Sequence, residues 1–321
     1  MGIYGPSSAF LLVGGRNISS DTFVLSELVE SAIEEAHGLG DTFEEQIPIG
    51  YAKITLEASG GLYDDRTAGI VEALQAKGET EQVVGYGMAG TAIGQGVVML
   101  NGVLATVWNR IANRSELTKA HALYKVSTQY LRGSILHGLN AETSDPGNTE
   151  ATSVDRSTDP LILSVAITSS SVAAASVITA PSHGLITGDI IIISGHTGST
   201  PDINGQRTVT VTGVDTFTIP VNVSVGGTGG SFVKVTSTGA VMDLHVPALT
   251  LGGFTNVLVK VRDSADNITF ADVVSFAAVT AVGSERKTVA TAVQRYTAMS
   301  WDFVGAGSGQ SIIPYVAIAR L

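Results

Sequence analysis

The chain has 321 residues, enough for about two domains, and it has no cysteine, which excludes disulfides, thiolate nucleophiles and cysteine-based zinc sites. It carries 18 Lys and Arg against 29 Asp and Glu, a net charge of −11, and this acidic excess disfavours nonspecific nucleic-acid binding. Aromatic residues make up only 6% and charged residues 15%, which favours thin β-sheets with many turns over a large aromatic-lined pocket.

The acidic charge is concentrated in the first part of the chain. Residues 1–150 hold 18 acidic and 9 basic side chains, a net charge of −9, whereas residues 151–321 have a net charge of −2. Solubility alone explains such a surface. The alternative is a surface that repels a polyanion passing nearby. The N-terminus lacks the basic region of a secretory signal, and no run of about 18 apolar residues is present, so we expect a soluble protein without membrane insertion.

Residues 1–150 are typical of a mixed α/β unit. Residues 52–59 (AKITLEAS) alternate apolar and polar side chains, which predicts a half-buried strand. Residues 67–76 follow two aspartates, have an apolar helical face and end before Gly78, which predicts a helix. The stretch Val24–Ala36 has the apolar rhythm of a helix, so periodicity alone favours helix there.

Further strands are expected along the rest of the chain. An apolar run covers residues 97–110, and residues 115–129 and 131–139 are candidates for strands that return to the first sheet. Residues 140–160 are polar and contain two prolines, which predicts a linker or an exposed excursion. Short β-branched runs separated by Gly, Asp and Asn turns predict a small all-β module at residues 161–236. Six more strands are expected in residues 241–246, 256–262, 268–276, 288–296, 300–304 and 312–319.

No motif in the sequence favours catalysis. The GYGMAG run at residues 85–90 fits G-x-G-x-x-G, but it lacks the preceding hydrophobic strand and the later acidic residue of a dinucleotide site, so we interpret it as a glycine-rich bend. Residues 263–267 (DSADN) lack the Gly and Glu of an EF-hand and predict a hairpin turn. The six histidines are not in metal-ligand spacing, and no G-x-S-x-G elbow is present. We therefore expect no enzyme activity, no catalytic residues, no metal and no cofactor.

Taken together, the chain resembles the major tail tube proteins of long-tailed, non-contractile (siphovirus-type) bacteriophages. The resemblance rests on three groups of turn and strand motifs. They are GLGDT at 38–42 with IG at 49–50 and GGLYDD at 60–65; SHGL at 182–185, TGD at 187–189, SG at 194–195, NG at 204–205, DTF at 215–217 and GG at 229–230; and LHV at 244–246, VRDS at 261–264, Phe276, RY at 295–296 and AIARL at 317–321. The second group is similar to small β domains of phage tail proteins.

The resemblance implies a mainly β (α+β) fold, with a β-sandwich or open barrel, one flanking helix at residues 67–76 and an inserted small β domain. The tail tube domain would be discontinuous, at residues 1–160 and 237–321, and the outward-facing module would occupy residues 161–236. The family also implies that much of Val24–Ala36 is an extended strand instead of a helix, and both alternatives stay open here.

In function, the resemblance implies a structural virion protein whose homohexameric rings stack into a tail tube that conducts DNA during ejection. Implied partners are copies of the chain itself and other tail proteins, such as the tape measure and the terminator or distal tail protein. DNA would pass without specific binding along an acidic lumen, for which we select Glu27, Glu30, Glu34 and Glu35. Localisation would be the virion tail, assembled in the bacterial cytoplasm. The alternative is a tail protein that binds host-surface glycans through the module.

Overall fold

The computed structural model describes residues 9–19, 24–36, 45–62, 82–111, 119–126, 130–146, 152–156, 164–235, 237 and 239–321. Within these ranges the chain forms 23 β-strands and no α-helix. In chain order the strands are β1 (Phe10–Val13), β2 (Arg16–Asn17), β3 (Val24–Ala36), β4 (Glu45–Leu62), β5 (Gln82–Gly87), β6 (Gly96–Ile111), β7 (Lys119–Val126), β8 (Tyr130–His137), β9 (Val154–Asp155), β10 (Val165–Ala166), β11 (Ser169–Ser170), β12 (Ala173–Thr179), β13 (Ile190–Ser194), β14 (Gly205–Thr208), β15 (Thr210–Val211), β16 (Thr216–Val223), β17 (Ser231–Lys234), β18 (Ala240–Thr250), β19 (Asn256–Ser264), β20 (Ala271–Ser275), β21 (Gly283–Val289), β22 (Tyr296–Val304) and β23 (Ser311–Arg320).

The largest sheet has eleven antiparallel strands and curls into a nearly closed barrel. Its main path runs β2-β1-β5-β6-β8-β23-β18-β21, and a branch continues from β6 through β7 and β4 to β3. The two ends of the main path approach each other where the turn after β1 meets the start of β21. A Cβ atom added at Gly15 would lie 2.0 Å from the Gly283 carbonyl oxygen, so only glycine allows this contact.

A second sheet, of order β20-β19-β22-β9, packs on the outer face of this barrel. Strand β18 has seven consecutive buried residues, from Ala240 to Val246, because both of its faces are covered. Met242 and Leu244 point into the core between the two sheets, where they meet Val259 and Trp301. Their neighbours in β18, Val241, Asp243 and His245, point into the barrel. The fold is thus a sandwich built onto a barrel, with β18 shared by both cores.

The module forms a separate pair of four-stranded sheets. One sheet has the order β10-β17-β13-β14 and the other β11-β12-β16-β15, and both use only strands from within the module. Their inner faces share a hydrophobic core that includes Ile178, Ile191, Phe217 and Phe232, all less than 2% exposed. The β-branched runs recognised in the sequence supply this core because alternate residues of each run point inward.

The mainly β fold class is confirmed for the described residues, and several predicted strands are found. Residues 52–59 lie in β4, with Leu56 and Ala58 buried. The helix alternative for Val24–Ala36 is wrong, because the segment is strand β3, paired with β4. The strand expected at residues 288–296 is misplaced, since β21 ends at Val289 and β22 begins at Tyr296. The helix predicted at residues 67–76 lies outside the described residues.

Candidate functional site

The branch of the large sheet forms a four-stranded antiparallel extension, which we call the arm. It consists of β3, β4, β7 and residues 103–111 of β6, in the order β3-β4-β7-β6. Strand β4 pairs with β3 from Val24 opposite Ser59 and with β7 from Leu62 opposite Lys119. At about 3.4 Å per residue, the 18 residues of β4 extend over roughly 60 Å. The arm is therefore long compared with an ordinary strand of five or six residues.

Both outer edges of the arm lack a strand partner within the part of the chain that the structure describes. Strand β3 pairs only with β4. Beyond Val103, β6 pairs only with β7, because β5 pairs with β6 no further than this residue. Each edge therefore presents a row of main-chain N–H and C=O groups. Such rows can pair with further strands.

Of the four acids selected for the lumen, Glu27 is the one whose side chain is described. It is half-buried on β3 and lines a cavity together with Met88, Val97 and Arg132. Its neighbour Leu28 is 53% exposed. Glu30, Glu34 and Glu35 also belong to β3, in register with Lys53, Ile47 and Gln46 of β4. Their side chains lie outside the described part of the structure, so the lumen assignment stays a prediction.

A polar cluster lies inside the barrel, and the sequence analysis did not find it. Asp243 and His245 alternate along β18 and so point to the same side of the sheet, away from the sandwich core. Arg286 of β21 is directly opposite Asp243, and Tyr315 of β23 is directly opposite His245. All four side chains are buried. The signal that could have revealed the cluster is Asp and His in the apolar run AVMDLHV.

The cluster combines one ion pair with two groups that burial holds neutral. Arg286 donates two hydrogen bonds of 2.6 Å to the Asp243 carboxylate. Burial nevertheless raises the pKa of Asp243, because desolvation outweighs the hydrogen bond and charge of Arg286. Burial, assisted by the Arg286 charge, lowers the pKa of His245 to about 3. Burial also raises the pKa of Tyr315, and its ring lies 5.9 Å from the His245 ring, edge to face.

This chemistry fits a structural brace better than an active site. His245 is neutral at pH 7, and neither of its ring nitrogens has a hydrogen-bond partner. A general base needs a proton donor within hydrogen-bond reach, and none contacts His245 in the described structure. The Asp243–Arg286 pair joins β18 to β21 at one register position. The cluster therefore fixes strand register inside the barrel.

A second buried network lies in the module and superficially resembles a catalytic dyad. His196 Nδ1–H donates to the Gly229 carbonyl at 2.7 Å, so its Nε2 accepts the Ser170 hydroxyl at 3.0 Å. The Gly227 N–H donates to the same hydroxyl oxygen at 2.9 Å. Ser170 and His196 are only 6% and 4% exposed, and the third partner is a carbonyl in place of a carboxylate. The network joins strand β11 to the loops that contain His196 and Gly227–Gly229, and it does not present a nucleophile to solvent.

The two motifs that the sequence analysis weighed as sites are turns. The glycine-rich run at residues 85–90 ends β5 and leads into β6, so it connects two strands and does not open a helix as a dinucleotide site requires. In the DSADN turn, Asp266 accepts main-chain hydrogen bonds from Ile268 and Thr269, each 2.9 Å long. These bonds lower the pKa of Asp266 to about 2. Among the described residues, no helix could cross a lipid bilayer.

Comparisons with known proteins give little beyond this geometry. No family model matches the chain, and no curated protein matches it. Among solved structures, a chain from the virion of a native gene transfer agent particle is similar over 37% of this chain and 92% of its own length. That match has a TM-score of 0.29 and 8% sequence identity, a level of similarity that carries no argument about this chain.

Proposed function

We propose that the chain is a structural virion protein whose homohexameric rings stack into a tail tube, through which DNA passes during ejection. The observation that most supports this proposal is the arm, with its two long outer edges at β3 and at residues 104–111 of β6. Long exposed edges promote uncontrolled pairing unless something covers them. A ring of identical copies covers every edge with the same contact.

The strand directions of the arm are compatible with ring closure. Four antiparallel strands alternate in direction, so β3 and β6, at opposite edges, run in opposite directions. In a ring with rotational symmetry, the β6 edge of one copy meets the β3 edge of the next copy. That new pair is then antiparallel as well. An even number of strands per copy is thus required for a fully antiparallel barrel, and the arm has four.

The dimensions are compatible with a DNA conduit. Six copies with four strands each give a barrel of about 24 strands. At a spacing of about 4.8 Å and a tilt of about 40°, its wall is about 48 Å in diameter. Side chains that extend about 5 Å inward leave a channel of roughly 38 Å. A DNA double helix fits through a channel of that width.

The remaining parts of the proposal concern charge and domain organisation. A lumen that includes Glu27, Glu30, Glu34 and Glu35 would repel phosphate groups and let DNA slide. The tube domain would comprise residues 1–160 and 237–321, and the module would project outward from it. The module's own core supports this division, since it shares no strand with the large sheet. Tape measure and terminator or distal tail proteins would contact the lumen and ends of the tube.

Negative-stain electron microscopy of the purified chain tests the proposal. We expect rings with six-fold symmetry or long tubes. Proline variants of β3 then test whether its outer edge pairs with the next copy. Val29 and Glu30 are neighbours in β3, so the N–H of one points toward β4 and the N–H of the other points outward. Proline at the outward position removes a donor from the edge and leaves the β3–β4 pairing intact.

We therefore expect one of Val29→Pro and Glu30→Pro to preserve the subunit fold, measured by circular dichroism, while abolishing rings. The other variant is its matched control. There the proline removes an N–H that points toward β4, so we expect that variant to disturb the β3–β4 pairing within the subunit. Particles that stay monomeric at high concentration in the unmodified protein would refute the ring. Normal rings from both folded proline variants would show that the β3 edge is not the contact.

A further inference from the structure

The two points where the chain enters and leaves the module converge on one short segment. This segment comprises residues 293–297, and together with Arg320 we call it the seat. On the entry side, Asp155 of β9 pairs with Tyr296. On the exit side, Ser237 and Val293 exchange two main-chain hydrogen bonds, of 3.2 and 3.4 Å. Both connections of the module are thus attached within five residues of one another.

Arg295 connects the seat to β9, the strand by which the chain enters the module, through a bidentate ion pair. Its Nε donates to Asp155 Oδ1 at 2.9 Å and its Nη2 to Oδ2 at 2.7 Å. The guanidinium carbon lies 4.7 Å from the centre of the Tyr296 ring, which restricts the side chain further. The remaining nitrogen, Nη1, reaches into the module and makes a long contact of 3.4 Å with Gln206 Oε1. Arg295 therefore contacts the entry strand and the body of the module at the same time.

Arg320 ties the seat to the exit strand. Its Nη1 donates to the carbonyl oxygens of Val293 at 3.2 Å and of Val235, the residue after β17, at 3.4 Å. Its Nη2 donates to the Arg295 carbonyl at 3.1 Å. One guanidinium thus links the end of the module to the seat and to the backbone of the other arginine. Planar guanidinium groups hold several acceptors in fixed directions, which a lysine cannot do.

Domains within one chain usually move relative to each other unless a large or well-bonded interface prevents it. We propose that the seat holds the module in a single orientation, with Arg295 and Arg320 as the positioning residues. The proposal depends on the division of the chain into a tube domain and an inserted module, and it is independent of ring formation. In an assembly, every copy would then present its module in the same direction. In a free subunit the orientation would be equally fixed.

Distances between two spin labels test this orientation directly. The native chain has no cysteine, so two introduced cysteines are the sole labelling sites. Suitable positions are Val172→Cys in the module, where the side chain is 65% exposed, and Ile268→Cys in the sandwich, where it is 82% exposed. Dilution with unlabelled protein removes distances between copies. We expect one narrow distance distribution, measured by pulsed electron paramagnetic resonance.

The seat variants are Arg295→Ala, Arg320→Ala and the isosteric Asp155→Asn, each in the labelled chain. Loss of a fixed orientation broadens the distribution or shifts its centre. Lys260→Ala is the matched control, since it removes an ion pair of 2.8 Å with Asp272 on the same sandwich but outside the seat. Circular dichroism verifies that each variant is folded. If an alanine variant does not fold, Asp155→Asn and Arg295→Lys decide the question.

A distribution in the unmodified chain that is already broad would overturn the proposal. An unchanged narrow distribution in all folded seat variants would overturn the role of the two arginines. Since the readout concerns a single chain, a failure here leaves the electron microscopy test of the ring unaffected.

Discussion

Arg286 and Asp243 face each other across two paired strands inside the barrel, joined by Nε–Oδ1 and Nη2–Oδ2 hydrogen bonds of 2.6 Å. The Asp243 side chain is 1% exposed and that of Arg286 is 8% exposed. Burial raises the pKa of Asp243 in spite of this partner, because desolvation disfavours the carboxylate more than Arg286 favours it. Buried ion pairs often add little net stability, and this one joins β18 to β21 at a single register position.

The first prediction follows from this balance. Asp243→Asn leaves a buried guanidinium without its counter-charge, and we expect it to lower the free energy of unfolding by about 3 kcal/mol or more. The double variant Asp243→Leu/Arg286→Met removes both charges and should lose much less, because buried ion pairs replaced by apolar groups are often neutral. Urea unfolding of the unassembled subunit measures both. A double variant less stable than the single one would contradict this account.

His245 provides a prediction about pH. Its pKa is lowered from 6.5 to about 3 in the folded chain, so the folded state favours the neutral ring. Stability from this group is fully present above pH 6.5 and is lost as the pH falls from 6.5 toward 3. The full loss is on the order of a few kcal/mol. We expect the free energy of unfolding to fall steadily between pH 6.5 and pH 4.5.

The groups that face His245 set the useful pH window. Tyr315 stays neutral there, and Arg286 stays charged. Asp243 has a raised pKa, so its own contribution has the opposite sign and is fully present only below its unfolded value of 3.8. It therefore changes between pH 3.8 and the folded pKa of Asp243, in the direction opposite to the His245 contribution, and a variant that retains Asp243 but lacks His245 separates the two. His245→Phe is the control, since it preserves a ring against Tyr315 and should remove most of the slope. A slope that persists undiminished would exclude His245 as its source.

The local sequence pattern was sufficient to predict many of the strands. Residues 52–59 alternate because one face of their strand is buried, and that alternation is visible in the sequence. Residues 241–246 are buried on both faces, and their apolar content was sufficient to indicate a strand. Strand β3 misled the periodicity analysis. Its apolar residues Leu25, Leu28 and Val29 fit a helical rhythm, yet Leu28 is 53% exposed on the strand. Pairing with β4 decided the structure, and that pairing is non-local information.

The polar cluster and the seat could not be predicted from spacing. The cluster combines β18 with β21 and β23, about 40 to 70 residues further along the chain, and strand order determines which of them meet. Asp155 and Arg295, the ion pair of the seat, are 140 residues apart. Arginines are common at surfaces, so their sequence context carried no signal. Turn motifs such as DSADN were interpreted correctly because their hydrogen bonds are local.

The contact between Gly15 and Gly283 gives a prediction about barrel closure. A Cβ atom at Gly15 would lie 2.0 Å from a main-chain oxygen, and Gly15 also has a φ of +84°. Gly15→Ala should therefore destabilise the chain by more than the roughly 1 kcal/mol that a left-handed conformation costs alone. Gly94→Ala is a matched control, because Gly94 has a φ of +83° and no atom within 4 Å of an added Cβ. Thermal unfolding of both variants separates steric overlap from backbone strain. If both variants lose the same amount of stability, the close contact between Gly15 and Gly283 does not constrain the barrel.

The last prediction concerns the acids selected for the lumen and depends on the proposed tube. Neutralising Glu30, Glu34 and Glu35 to Gln removes three negative charges per copy, or 18 per hexameric ring. The electrostatic barrier against phosphate then falls, so assembled tubes should retain DNA fragments that the unmodified tubes exclude. Retention is measured by co-sedimentation of tubes with short duplexes at two salt concentrations, and added salt should weaken the difference between the tubes.

Glu27→Gln provides the comparison within the same strand. Its side chain is half-buried and lines a cavity together with Met88 and Arg132, so it is less accessible to DNA than a fully exposed carboxylate. We therefore expect Glu27→Gln to change DNA retention less than any one of the other three substitutions. A triple variant that assembles normally yet excludes DNA as well as the unmodified tube does would place these acids away from the channel. In that case the charge that repels DNA must come from other residues of the acidic first half of the chain, because residues 151–321 have a net charge of only −2.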